Sequence, residues 1–127
     1  MEIEERDQLS ETVIGAAVEV HRVMGPGLIE SVYQKCLVYE LRLREITCEP
    51  QSRLPIVYKG QQIHDDDLVM DVYFPGRLVV ELKAVEKMLP IHEAQLLTYL
   101  RLSKTRVGLL INFNVRLLKE GVKRMAL

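Results

Sequence analysis

Residues 68–83, LVMDVYFPGRLVVELK, constrain this chain more than any other stretch. Two runs rich in β-branched and aromatic residues flank Pro75-Gly76-Arg77, and Pro-Gly between such runs is the chemistry of a tight turn. The spacing predicts strands over 68–74 and 78–83, joined as a hairpin by a three-residue loop. Phe74 then pairs with Leu78, and counting outward sets Asp71 opposite Glu81. Facing strand residues bring their Cβ atoms to about 4.5–5.5 Å, where two carboxylates repel. Lys83, two residues beyond Glu81, emerges on the same face of its strand.

Two opposed carboxylates beside one ammonium group admit two readings. One is a surface salt-bridge cluster, typically worth less than about 1 kcal/mol. The other is a site for a hard cation with oxygen ligands. Val79, Val80 and Leu82 make the strand around Glu81 apolar, which sets the charges at the edge of a core. Buried carboxylates need partners, and a divalent cation would supply one. Such a cation lowers the pKa of its water, while Lys83 can orient that water or stabilise charge on a phosphate.

The flanking sequence supplies helices to cover the hairpin. Residues 7–23 place Leu9, Val13, Ile14, Ala17, Val20 and Val23 near helical spacing, and Met24-Gly25-Pro26-Gly27 ends that run. A second helix is expected over 31–44. Residues 50–58 read as one strand with Leu54, Ile56 and Tyr58 alternating, then turn at Lys59-Gly60 into a short strand near Gln62-Ile63. Pro90 suits the first turn of a helix over 91–103, and residues 106–112 (RVGLLIN) read as a buried strand. Residues 117–125 read as a final helix that Gly121 weakens. The order, roughly ααβββ(β)αβα, predicts an α/β (α+β) domain spanning 1–127, with a mixed sheet flanked by helices.

With 127 residues, 48% apolar and 28% charged, the chain can bury a real core. No apolar stretch approaches a membrane span, and the acidic opening MEIEERDQLS is no signal peptide, which points to the cytoplasm. Cys36 and Cys48 are too scattered for a zinc site and read as reduced, packed thiols. Net charge is −1, but its distribution is uneven: residues 1–50 hold five Lys/Arg against ten Asp/Glu, whereas 96–127 hold seven against Glu120 alone. That basic third suits phosphate contact, or equally a solvated helix face.

Asp71, then Glu81-Leu82-Lys83, resembles the D…(D/E)xK signature of the PD-(D/E)xK nuclease superfamily. Gly27-Leu28-Ile29-Glu30-Ser31-Val32-Tyr33 resembles the motif of the GxxExxY proteins, a branch of it. Residues 80–102 and 108–125 are similar to that family's pattern too, so the likeness covers nearly the whole chain. It implies a restriction-endonuclease-like core and hydrolysis of phosphodiester bonds in DNA or RNA. It implies Asp71, Glu81 and the Leu82 carbonyl as ligands of Mg²⁺, with Mn²⁺ as a substitute, and Glu30 as a further acid reaching the metal. Lys83 would position the attacking water, and Gln95 would belong to the helix motif after the catalytic strand. Tyr99, Arg101 and Lys104 are the candidates for substrate contact. The partner implied is nucleic acid, DNA first, with no membrane and room for a homodimer. Met70 departs from the proline common before the first aspartate.

Other polar residues carry blander expectations. Asp65-Asp66-Asp67 reads as an exposed acidic loop. His92 shares a helix face with Gln95 and Tyr99 but reads as solvent-facing, and His21 and His64 read as surface residues. Tyr33 is expected to pack with its hydroxyl bonded, and Glu40 to be an exposed helix carboxylate. The competing function is a nucleic-acid-binding or assembly module that keeps the fold without cleaving; a dimer subunit with a relict site is the third.

Overall fold

A computed structural model describes residues 2–64 and 67–127, with side chains from residue 8 onward. Helices α1 (Glu2–Met24) and α2 (Glu30–Leu43) lead into strand β1 (Glu49–Leu54) and a small ladder of β2 (Val57–Tyr58) and β3 (Gln61–Gln62). Strands β4 (Leu68–Phe74) and β5 (Leu78–Lys83), helix α3 (Pro90–Ser103) and β6 (Val107–Asn112) follow. A 3₁₀ turn (Leu118–Gly121) and β7 (Val122–Ala126) complete the chain's elements.

The main sheet runs β1-β4-β5-β6-β7. All its neighbours are antiparallel except β5 and β6, which the α3 crossover makes parallel. Residues Leu78, Val80 and Leu82 of β5 pack under α1 and α2, against Val13, Ala17, Leu37 and Leu41. Val79 points the other way and joins Leu96, Tyr99 and Leu100 of α3. Helices therefore cover both faces, which explains why β6 is buried along its whole length. A Cβ on Gly108 would lie 2.9 Å from Leu96 Cδ1, so α3 approaches β6 as closely as it does only because glycine is there.

The predicted hairpin forms with the predicted pairs Phe74↔Leu78, Tyr73↔Val79 and Val72↔Val80, but its ladder ends there, before the expected Asp71–Glu81 pair. Arg77 N–H closes its turn on the Phe74 carbonyl at 2.8 Å. Tyr33 packs as expected: it stacks on Phe113, while its hydroxyl donates to the Gly25 carbonyl and accepts from Leu28 N–H. That ties the α1–α2 turn, in which Gly27 takes φ +104°.

Three expectations are corrected. The final helix over 117–125 is instead a 3₁₀ turn followed by β7, which pairs with β6 from Ile111↔Val122 to Val107↔Ala126. Without β7 the apolar β6 would be an unpaired sheet edge, and covering it outweighs local helix preference. The 50–58 strand breaks at Pro55, which has no N–H to donate; Val57 and Tyr58 pair separately with Gln62 and Gln61. His21 is buried, 8% exposed, with Nε2 2.8 Å from the Val115 carbonyl. Of the predicted acidic loop, Asp65 and Asp66 lie outside the described residues, and Asp67 is half-buried.

Candidate functional site

The site forms where β4 and β5 stop pairing through their backbones. Beyond Val72↔Val80, Asp71 N–H donates to Glu81 Oε2 at 3.0 Å, and Leu82 N–H donates to Asp71 Oδ2 at 2.8 Å. Each carboxylate thus accepts a backbone donor of the opposite strand, and the two acids interlock. Glu81 is 7% exposed and Asp71 half-buried. Burial first, then the charge of Asp71, pushes the Glu81 carboxyl up to about 9; the Asp71 N–H and the Lys83 ammonium pull it down, but less.

Lys83 closes β5 and pairs with Asn112 of β6. Its carbonyl accepts the Phe113 N–H at 2.9 Å. Asn112, 3% exposed, holds the next segment: Nδ2 donates to the Val85 carbonyl, and Oδ1 accepts from Val85 N–H and Asn114 N–H. The sequence reading missed Asn112, although a polar residue closing an apolar strand was visible. It also missed Gln34, one turn after Glu30 on α2, whose Nε2 donates to the Asp71 carbonyl at 3.2 Å.

Helix α3 brings Tyr99 within the field of the pair, with Gln95 beside Tyr99. Burial raises the Tyr99 hydroxyl above its usual value, as do the charges of Glu81 and Asp71; a hydrogen bond from the Gln95 side chain opposes them. The phenol therefore stays neutral and able to donate. Gln95 is otherwise exposed. His92 serves the helix end, its Nδ1 accepting the Leu89 N–H at 3.0 Å. Arg101 lies two residues past Tyr99, about 200° around the helix, and donates to Thr98 Oγ1. Lys104 is the exposed C-cap residue. Neither is brought beside the acidic pair. Glu30 is the exposed first residue of α2, and Glu40, expected to be exposed, is half-buried and ion-paired with Arg44, the C-cap residue of that helix.

Among the described residues no three His, Cys, Asp or Glu side chains gather as a metal cluster. The interlocked pair nonetheless fits a hard divalent cation. Its donors are oxygens, and the Lys83 ammonium offsets only part of what burial and the Asp71 charge impose on Glu81, so a further positive charge would be favoured there. Two side-chain ligands also suit Mg²⁺, which keeps several waters and binds through one or two carboxylates.

Helices on both faces of a mixed sheet, with an acidic hairpin leading into a parallel crossover, define an α+β core of the restriction-endonuclease type. The chain belongs to the PD-(D/E)XK nuclease superfamily, whose family model matches residues 7–125. No curated protein and no solved structure matches the chain. No helix among the described residues is long and apolar enough to cross a membrane.

Proposed function

We propose that the chain is a divalent-cation-dependent nuclease that hydrolyses phosphodiester bonds of nucleic acid, DNA foremost, using Asp71, Glu81 and Lys83. The observation that carries this reading is the interlocked, largely buried pair of acids at the broken end of the β4–β5 ladder. Asp71 and Glu81, with the Leu82 carbonyl, would hold Mg²⁺ or Mn²⁺, and Glu30 would approach through water. A bound cation supplies charge neutralisation at the phosphate and acidifies the attacking water.

The chain's own groups do the rest. Lys83 orients the water and offers its ammonium to a non-bridging phosphate oxygen. Tyr99 keeps its proton and donates a hydrogen bond, and Gln95 sets the direction of that phenol. Arg101 near the end of α3 and Lys104 at its C-cap stand away from the pair, and would meet only more distant phosphates of a bound strand. Free Cys36 and Cys48 suit a cytoplasmic setting.

The test is cleavage of labelled DNA and RNA with Mg²⁺ and with Mn²⁺, comparing the parent chain with Glu81→Ala and Lys83→Ala. Each variant is expected to lose at least about 100-fold in rate. Equal cleavage by the variants, or none by the parent with either metal, overturns the proposal; salt-dependent binding without cleavage would assign a non-catalytic binding module instead.

A further inference from the structure

Asp71 sits at a defect shared by three strands. Pro50↔Val72 and Ser52↔Met70 pair on either side of it. Gln51, which that register sets opposite Asp71, instead takes φ +50°. A non-glycine residue in the left-handed region is strained, and its peptide turns away from extended pairing. The side chains of β4 change phase at the same place: Leu68 and Met70 pack on the α3 side, whereas Val72 and Phe74 pack under α1 and α2. On the far side, the β4–β5 ladder ends at Val72↔Val80.

The Asp71 carbonyl takes its hydrogen bond from Gln34 Nε2. Gln34 is only 8% exposed, and it lines one cleft with Pro50 and Gln51 between α2 and β1. Burying a carboxamide is costly unless it is bonded, and its neighbours Tyr33, Leu37 and Leu41 on α2 are fully buried core residues.

We propose that Gln34 is a positioning residue for the acidic pair: its carboxamide replaces the ladder donor that the left-handed Gln51 withdraws, and so holds the Asp71 peptide in the orientation that directs Oδ2 onto Leu82 N–H. Its bearing on catalysis rests on the nuclease reading, but the positioning does not.

Amide hydrogen exchange on the metal-free full chain tests it. Leucine is close to glutamine in size and cannot donate. In Gln34→Leu the Leu82 amide, bonded to Asp71 Oδ2 at 2.8 Å, is expected to exchange at least about tenfold faster relative to Val80. Leu37→Ala, a core truncation on the same helix, is expected to lower overall stability and leave the Leu82-to-Val80 ratio unchanged. A Gln34→Leu chain with the parent's ratio overturns the proposal. Calorimetric titration with Mn²⁺ is expected to show about tenfold weaker binding in Gln34→Leu. If the parent binds no Mn²⁺ while the exchange ratio still changes, the cation reading fails and the positioning role stands.

Discussion

Glu81→Gln is expected to stabilise the metal-free protein at neutral pH while removing its response to divalent cations. Burial and Asp71 raise the Glu81 carboxyl from 4.5 to about 9. The folded chain therefore retains a proton that the unfolded chain releases above pH 4.5, and stability falls as pH rises from there toward 9. At about 1.36 kcal/mol per pKa unit, the three units between 4.5 and 7.5 set a ceiling of about 4 kcal/mol. Opening of the hairpin end to water lowers the realised value to about 1–3 kcal/mol. Glutamine has the same shape, accepts the Asp71 N–H as Glu81 does, and does not titrate. Urea denaturation in EDTA checks the sign: the variant should exceed the parent by that margin near pH 7.5 and converge on it near pH 4.5. Added Mn²⁺ at 100 times its Kd should raise the parent by about 2.7 kcal/mol and leave the variant unmoved. A parent whose stability is flat across this pH range, or a variant less stable than the parent at neutral pH, would refute the electrostatic argument.

Two further substitutions probe the scaffold. Asn112→Ala removes three hydrogen bonds and leaves the Val85 and Asn114 amides without their acceptor; it should cost about 2–4 kcal/mol in chemical denaturation, and a loss under 1 kcal/mol would show that this clamp is dispensable. Tyr33→Phe keeps the stack on Phe113 but cuts the hydroxyl from Gly25 and Leu28. It should cost about 1–2 kcal/mol, read as a lowered thermal midpoint, and an unchanged midpoint would refute the role given to that hydroxyl.

Much of this molecule is legible in local chemistry. Pro75-Gly76 set the turn, and the strand period then carries the pairing to Val72 and Val80, one step short of Asp71 and Glu81; both operate within a few residues, so the sequence suffices that far. The apolar strand at 107–112 and the proline at the start of α3 are similarly local. The final segment failed because its conformation depends on a sheet edge that β6 creates elsewhere. His21 failed because nothing near it in sequence announces the Val115 carbonyl, 94 residues away.

The sequence by itself determined which acids share a hairpin, which lysine accompanies them and which helices are available to cover them. Only the tertiary structure decided how the acids engage. The left-handed Gln51, the phase change of β4 at Asp71 and the reach of Gln34 from α2 bring together residues distant along the chain. The outcome turns on competition for hydrogen-bond partners: where the ladders no longer pair the Asp71 peptide, side chains of Gln34 and Glu81 take their place, while the Asp71 carboxylate takes the Leu82 N–H of β5.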